Sequence, residues 1–239
     1  MIKKIIKFVF PEKVIAILKD YFNHYAVESY SQEGEDMILR RMFEKQQKGF
    51  YVDVGAHHPK RFSNTYFFYK KGWNGINIDA MPGSMKPFYK FRPRDINIEK
   101  PVSDKKQVLT YYAFNEPALN GFSKELSQKR DALKDYHIKF TQNIETATLE
   151  EILDSNLPKN QVIDFLSIDV EGLDFMVLKS MNFDKYKPNI ILIEILESSL
   201  ADIEKNEIAS YLKKQDYLVY AKAVNTVFFM QQSFLKAIK

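Results

Sequence analysis

The chain has 239 residues, which is enough for one sizeable hydrophobic core, and we expect a single main domain. Its 35 Lys and Arg residues against 31 Asp and Glu residues leave a net charge of only +4, so the composition argues against a nucleic-acid partner. The absence of cysteine excludes disulfides, thiolate metal sites and a cysteine nucleophile, and it fits a reducing compartment such as the cytoplasm.

Residues 1–28 are predicted to form a helical extension before the main domain. Apolar residues recur there at helical spacing beside lysines, whereas the apolar run at 5–10 is broken by Lys7 and followed by Pro11. That run is too short for a signal peptide or a membrane-spanning helix. We expect the helix to pack on the domain or on a second subunit of a homodimer, and weak contact of residues 1–22 with an anionic membrane surface is the alternative.

A polar turn and an amphipathic helix are predicted within 29–48, and the strand that follows carries the first candidate ligand-binding residues. Residues 49–57 read GFYVDVGAH, in which Asp53 interrupts aromatic and β-branched residues just before Gly55. A buried carboxylate without a partner is costly, so we expect Asp53 to lie where the strand opens into a polar crevice. Open α/β sheets bind their ligands at that edge.

The turn after this strand argues for a nucleoside ligand without phosphates. Dinucleotide-binding loops read G-x-G-x-x-G, because their backbone amides must surround a pyrophosphate. Residues 55–60 read GAHHPK, which keeps only the first glycine. Pro59 also lacks an N–H group that could donate to a phosphate.

The second predicted strand, at 75–79, also ends in an acid. The Ser-Asn-Thr run at 63–65 offers N-cap side chains for the helix that separates the two strands. Asp79 follows Asp53 by 26 residues, close to the roughly 20-residue offset at which a second-strand acid binds the ribose hydroxyls of a nucleoside. Asp79 is therefore the best single candidate for ligand binding.

The rest of the chain alternates helices with strands, which predicts a parallel α/β sheet. Residues 115–147 break this alternation, and because long irregular segments in compact domains are usually functional we assign them to a lid or acceptor-binding insertion. The other predicted elements are a helix at 82–91, a strand at 96–102 leading into Ser103 and Asp104, an edge strand or hairpin at 108–114, a helix at 149–153 with a capping box of Thr148 and Glu151, a strand within 163–172, a helix at 173–181, a strand at 190–195, a helix at 200–212, and an antiparallel strand pair at 217–220 and 227–230.

Two acids lie at the end of the strand within 163–172. Asp169 and Glu171 are two residues apart, so in an extended segment both point to the same side. Carboxylates suit magnesium or calcium, but two are few for a dedicated site, and no metal is assigned. A structural role for Asp169 at the N-terminus of the next helix is an equal alternative.

Several ordered motifs together resemble the FkbM-type methyltransferases, a family of class I S-adenosylmethionine-dependent enzymes. The resemblance implies a Rossmann-like seven-stranded methyltransferase sheet in a three-layer α/β/α arrangement over residues 29–239, preceded by the helical extension. The motifs are YSQEGEDMIL at 30–39, GFYVDVGAHHP at 49–59, SNT at 63–65, GWNGINIDAMP at 72–82 and the FLSIDVEG run that ends at Gly172.

The same resemblance implies that S-adenosyl-L-methionine lies across the carboxyl ends of the first strands. Gly55 would let the cofactor approach the backbone, Asp53 would lie near its methionyl end, and Asp79 would bind its ribose hydroxyls. The other implied cofactor-binding residues are Gln32, Glu35 and Asp36 on the N-terminal side, Asn64 and Thr65, Ser103 and Asp104 near adenine, and Asp169.

Methylation of an oxygen also requires a group that takes the proton of the hydroxyl. Asp169 or Glu171 could do so, directly or through water, if burial or a neighbouring charge raises the pKa of one carboxyl. His57 and His58 are the rival bases, although a structural or cofactor-packing role is the expectation for a histidine beside a strand end.

We therefore expect an O-methyltransferase that acts on a hydroxyl of a sugar, a glycan or a related small metabolite, an acceptor class that the resemblance implies. One alternative is a nicotinamide-dependent Rossmann oxidoreductase, which shares the sheet and the ribose-binding acid but needs the missing glycines. The other is a catalytically silent nucleoside-binding partner of a glycosyltransferase.

Overall fold

The computed structural model describes Pro11, Val14, Ile17 and residues 26–196 and 198–238. Most of the predicted extension at 1–28 lies outside these described residues, and so do the expectations of its packing on a second subunit or on a membrane. Within the described part of the chain, no helix combines the length and the apolarity needed to cross a membrane.

The centre of the fold is a seven-stranded, mostly parallel sheet, as predicted. Its spatial order is β3-β2-β1-β6-β7-β9-β8, in which the first five are parallel and the last two are joined antiparallel at one edge. In chain order the strands are β1 (Phe50–Val54), β2 (Asn74–Asp79), β3 (Ile96–Glu99), β4 (Val108–Phe114), β5 (Ile138–Glu145), β6 (Phe165–Ile168), β7 (Ile190–Glu194), β8 (Tyr217–Ala223) and β9 (Thr226–Gln231).

Helices cover both faces of the sheet and give the predicted three layers. One face packs Tyr51, Phe165 and Leu192 against the first two helices, and the other packs Val52 and Ile191 against later ones. The helices are α1 (Glu35–Met42), α2 (Tyr66–Lys70), α3 (Met85–Phe91), α4 (Lys124–Asp131), α5 (Leu149–Asn156), α6 (Asp174–Lys179), α7 (Leu200–Ile203), α8 (Glu207–Lys214) and α9 (Gln232–Ile238).

The prediction that residues 115–147 are irregular is wrong. This insertion contains a 3₁₀ turn at Pro117–Leu119, helix α4, and strand β5, which pairs antiparallel with β4 in a ribbon separate from the main sheet. Most β5 residues are exposed, so the strand lacks the apolar alternation by which strands are recognised in a sequence.

Two other boundaries differ from the prediction. The third strand ends at Glu99, and Val102 instead makes an isolated parallel bridge with Ala147. The helix predicted at 200–212 is divided into α7 and α8, because the Asn206 side chain accepts a hydrogen bond from the Ile208 amide and begins a new helix.

Candidate active site at the carboxyl ends of the parallel strands

An open cavity lies at the carboxyl ends of β1, β2, β6 and β7, with about 1060 Å³ of space when the solvent at its mouth is included. Other segments contribute to its wall: residues 32–35 before and within α1, the turns after β1 and β2, residues 100–102, Tyr111, residues 117–122 of the insertion, and the turn between β8 and β9. The parallel strands thus bring distant polar residues to one edge of the sheet, where such folds place their ligand sites.

Asp79 is fixed at the floor of this cavity by backbone donors. Its Oδ2 accepts a hydrogen bond from the His57 amide at 2.9 Å, and its Oδ1 accepts one from the Met81 amide at 2.8 Å. Burial raises the pKa of the carboxyl, and these backbone hydrogen bonds oppose the shift. A carboxylate accepts about four hydrogen bonds, so this group keeps capacity to accept a further hydrogen bond from a ligand.

Gly55 lines the cavity, but the structure gives a different reason for a glycine there. Its φ is +88°, and an added Cβ would lie 1.7 Å from the carbonyl oxygen of Asp169 on the neighbouring strand end. The close approach that requires glycine is therefore between β1 and the end of β6, independently of any ligand.

The expectation that Asp53 opens onto the crevice is wrong. Asp53 is buried beneath the cavity floor and does not line it, and its Oδ2 accepts a hydrogen bond from the Thr65 hydroxyl at 2.9 Å. Burial raises the pKa of this carboxyl to about 6, against the opposing influence of the nearby Arg92 guanidinium and the Thr65 hydroxyl. The partners of Asp53 therefore lie inside the protein. Thr65, one of these partners, also lies outside the cavity wall.

Arg92 organises this buried polar layer, and no local sequence pattern pointed to it. Its side chain is fully buried and donates from Nε to Asp95 at 2.7 Å, from Nη1 to Thr65 at 3.0 Å and from Nη2 to the Tyr51 hydroxyl at 2.7 Å. Asp95 also accepts a hydrogen bond from the Gly75 amide at 3.0 Å. The network ties β1, β2, α2 and the loop after α3 together directly below the cavity.

Asp169 and Glu171 both line the cavity, although not for the predicted reason. Glu171 has a φ of 56°, so the segment is turned instead of extended. Arg130 of the insertion donates to Glu171 at 2.5 Å, whereas Asp169 is open to the cavity. Desolvation by the surrounding protein, followed by the charges of Glu194 and Glu171, raises the pKa of Asp169 well above its ordinary value, although the residue is exposed towards the cavity.

The alternative structural role at the helix N-terminus belongs to another residue. Asp174, at the start of α6, accepts hydrogen bonds from the Val170 and Gly172 amides, both at 3.0 Å. Asp174 is buried, which raises its pKa to about 6. Its two backbone bonds shape the turn that presents Asp169 and Glu171 to the cavity.

Glu194 is a further acid of the cavity, and it was not among the residues predicted for the site. It ends β7, beside the end of β6, and lines the cavity. Burial, followed by the charges of Glu171 and Asp174, raises its pKa to about 8. A sequence pattern could have predicted its role, because Glu194 ends a strand whose other four residues are apolar. An acid at the end of a strand is also what singled out Asp79.

The two candidate histidines have different surroundings. His57 lines the cavity, and burial lowers its pKa, so its imidazole is neutral near pH 7. His58 does not line it, and its Nδ1 accepts hydrogen bonds from the Lys60 and Arg61 amides at 3.1 and 2.9 Å. His58 therefore holds the loop together, and of the two histidines only His57 faces the cavity.

The N-terminal candidates divide in the same way. Gln32 and Glu35 line the cavity, and Glu35 Oε1 accepts a hydrogen bond from the Thr226 hydroxyl at 3.1 Å, which joins this wall to the β8–β9 turn. Asp36 does not line the cavity: its carboxylate accepts bonds from the Ser29 and Ser31 hydroxyls and the Tyr30 amide, and so shapes the turn before α1.

Of the remaining candidates, Asn64 lines the cavity and donates to the Ser167 hydroxyl at 3.1 Å. Ser103 and Asp104 do not line it; they bond to each other and to Gln107 near the base of the ribbon. The wall on that side is formed instead by Lys100, Pro101 and Val102, immediately before them.

Strand β4 and the insertion form a wall of the cavity through Tyr111 and the 117–122 segment, respectively. The Asn120 side chain accepts a hydrogen bond from the Phe114 amide at 2.7 Å and donates to the Met81 sulfur at 3.3 Å, across to the turn after β2. Arg130 also donates to the Leu119 carbonyl at 3.2 Å. These contacts hold the segment over the ends of β2 and β6.

The cavity is strongly acidic. The described residues that line it include six carboxylates but a single lysine or arginine, Lys100. The carboxylates are Glu33, Glu35, Asp79, Asp169, Glu171 and Glu194. No group of three or more histidine, cysteine or acidic residues among the described residues is arranged to hold a metal ion. The arrangement favours a cationic or hydroxyl-rich ligand and disfavours phosphates.

Comparison with known proteins identifies the family of the chain. The profile of the Methyltransferase FkbM domain matches residues 53–219, which is more than half of the chain. The matched range contains the end of β1 and the whole of the other four parallel strands. No curated protein matches the chain. Together with the seven-stranded sheet and the cavity at its carboxyl edge, the profile match shows that this chain belongs to the FkbM methyltransferase family.

Proposed function

We propose that this protein is an S-adenosyl-L-methionine-dependent methyltransferase that methylates a hydroxyl of a sugar, a glycan or a related small metabolite. The observation that carries the proposal is the cavity itself: a carboxylate is fixed at the end of β2, the described lining residues include six carboxylates, and the turn after β1 is not glycine-rich as a phosphate site would require. We further propose a cytoplasmic location, which the absence of cysteine supports.

The residues present suit this methyl donor. Asp79 would accept hydrogen bonds from the ribose hydroxyls, and Gln32, Glu35 and Asn64 would border the donor from the α1 and α2 sides. S-adenosylmethionine supplies an activated methyl group on a positively charged sulfur. The excess of carboxylates attracts that cation, and it attracts the neutral thioether product less, which supports release after transfer.

A nicotinamide dinucleotide suits the same cavity poorly. Its pyrophosphate would be surrounded by carboxylates, with Lys100 as the single lysine or arginine among the described lining residues. Pro59 offers no amide, and the His57 amide already donates to Asp79. Like charges at close range cost several kcal/mol, so these features support the methyl donor over the dinucleotide.

The chain's own groups account for the remaining requirements of methyl transfer. Holding donor and acceptor in line supplies much of the rate, and the insertion wall at 117–122 would position the acceptor. Asp169 is our candidate for the proton acceptor because it is open to the cavity and its pKa is raised, whereas Glu171 is engaged by Arg130. Neutral His57 is a second group able to take a proton.

Calorimetric titration of the protein with S-adenosylhomocysteine and, separately, with NAD tests the proposal. We expect the thioether to bind and NAD not to bind. Asp79→Asn should weaken binding of the thioether at least about tenfold, which corresponds to about 1.4 kcal/mol, since one charged hydrogen-bond acceptor is lost. Binding of NAD without any response to the thioether would end the assignment.

A further inference from the structure

Asp169 and Glu194 occupy matching positions on neighbouring strands. Ile168 of β6 is in register with Ile193 of β7, so the two acids are the next residues along adjacent parallel strands. Neighbouring strands lie about 4.8 Å apart, and both side chains line the same cavity. The fold thus brings two carboxyls into one small region on the β6–β7 side, away from Asp79 on β2.

These two acids differ from the other four in the cavity by having no hydrogen-bond or ion-pair partner among the described residues. The other four are each engaged: Glu33 by the Asn225 amide, Glu35 by the Thr226 hydroxyl, Asp79 by two amides and Glu171 by Arg130. An unpartnered carboxyl facing a cavity is available to a ligand or a proton.

The surroundings of the pair favour keeping a proton. Around it lie Glu171 and Asp174 from the loop and helix after β6, Glu33 from the N-terminal wall and Asp53 from β1. The Arg130 guanidinium opposes these charges, and it is bonded to Glu171. Desolvation by the surrounding protein and these like charges raise the pKa of both carboxyls, that of Glu194 to about 8. Two close carboxyls in such a setting do not readily ionise together, so the pair retains a proton at neutral pH.

We propose that Asp169 and Glu194 act as one carboxyl pair that holds a proton in the free protein, releases it when the cationic methyl donor binds, and then receives the proton of the acceptor hydroxyl. The exchange balances: one proton leaves to solvent on donor binding, and the O–H proton passes to a carboxylate as the oxygen–carbon bond forms and the sulfur–carbon bond breaks. Glu194 is thereby a second catalytic carboxyl group beside Asp169, and the pair acts as the base.

This inference rests on the proposed function, but it is tested by proton release instead of turnover. Binding of S-adenosylmethionine is measured by calorimetry near neutral pH in buffers of different ionisation enthalpy, which gives the number of protons released. We expect a substantial fraction of one proton for S-adenosylmethionine and less than half of that for S-adenosylhomocysteine, which lacks the sulfonium charge. Glu194→Gln should reduce the release at least about twofold.

Glu99→Gln is the matched control, because Glu99 ends β3 as Glu194 ends β7, yet it is exposed and does not line the cavity. Its proton release should equal that of the unsubstituted protein. Release that is unchanged in Glu194→Gln, or equal for the two ligands, would overturn the inference while leaving the methyl donor in place.

Two further outcomes of the experiment also have a defined meaning. If Glu194→Gln does not fold, as judged by circular dichroism, the comparison of the two ligands in the unsubstituted protein decides. If neither ligand binds that protein, the proposed function itself fails and the carboxyl pair loses its role with it.

Discussion

The Arg130 guanidinium donates to the Glu171 carboxylate at 2.5 Å and joins the insertion to the loop after β6. The same guanidinium donates to the Leu119 carbonyl at 3.2 Å, so one side chain fixes helix α4, the 3₁₀ turn and the acid-bearing loop. Both partners of the ion pair are mostly buried, with 16 and 17 % of their side-chain surface exposed. The wall over the cavity is therefore held by an ion pair to Glu171, two residues after Asp169.

Replacing Arg130 with Met should loosen this wall. The substitution leaves Glu171 partly buried without its cation, so we expect the free energy of unfolding to fall by about 1–3 kcal/mol. Amide hydrogen exchange should become faster in residues 117–131 than in the strands of the sheet. Lys124→Met, an exposed change on the same helix, should stay within about 0.5 kcal/mol. Unchanged exchange in 117–131 would show that Arg130 does not hold the wall.

Replacing Arg92 with Met should destabilise the protein more severely. The change removes the cation from a pair whose two side chains are fully buried, and it strands Asp95 beside the buried Asp53. Breaking a buried ion pair on one side costs about 3–5 kcal/mol, which urea unfolding measures directly. The exposed Lys90→Met on the adjacent helix serves as the control. A loss below about 1 kcal/mol would mean that the network contributes little.

A comparison of two glycines with similar φ angles separates the cost of backbone strain from the cost of steric overlap. Gly55 and Gly72 have φ values of +88° and +95°, but a Cβ on Gly72 would meet nothing within 4 Å. Gly72→Ala should therefore cost only about 1–2 kcal/mol, from the left-handed conformation. Gly55→Ala adds overlap with the Asp169 carbonyl and should cost about 2–5 kcal/mol. Equal unfolding free energies for the two variants would contradict the close contact of β1 and β6.

The raised pKa values predict how stability depends on pH. Burial and the charges of Glu171 and Asp174 raise the pKa of Glu194 from 4.5 to about 8, so across this interval the folded protein holds more proton than the unfolded chain. The free energy of unfolding should therefore be largest at the acid end of the interval and fall as pH rises towards 8. Each such group contributes at most about 1.4 kcal/mol per pH unit.

Other titrating groups limit the pH range in which the change in stability reports on Glu194. Asp53 and Asp174, with pKa values raised by burial to about 6, add to the decline below that pH. His57 acts in the opposite sense below its ordinary 6.5, because burial lowers its pKa. Between about pH 6.5 and 8 the decline should thus become clearly shallower in Glu194→Gln and remain in Glu99→Gln. Urea unfolding at a series of pH values measures this decline. If the free energy of unfolding declined equally with pH in Glu194→Gln and in the unsubstituted protein, the raised pKa would not belong to Glu194.

The parts of the fold that sequence patterns predicted are those with a local signal. The five parallel strands, the capping box of Thr148 and Glu151, and Asp79 at the end of β2 each follow from residues a few positions apart. Asp53 shows the limit of that reasoning. A carboxylate in an apolar strand indicated a partner, but only the tertiary structure shows that the partners are Thr65 and Arg92 instead of a crevice.

What the sequence did not predict depends on distant contacts. Arg92 meets the Tyr51 hydroxyl, and Arg130 meets Glu171, each across 41 residues of chain, so no spacing rule connects them. Strand β5 is recognisable through its pairing with β4, not through its own exposed residues. Glu194 had the same local signal as Asp79, but its importance comes from lying beside Asp169 on the next strand.

The most direct test is a crystal structure of the protein soaked with S-adenosylhomocysteine. We expect the ligand in the cavity at the carboxyl ends of β1, β2 and β6, with its ribose hydroxyls within hydrogen-bond distance of Asp79 and its sulfur on the side of Asp169 and Glu194. A ligand bound elsewhere, or a ribose that contacts other residues while Asp79 keeps only its two backbone donors, would contradict the assignment of this cavity as the methyl-donor site.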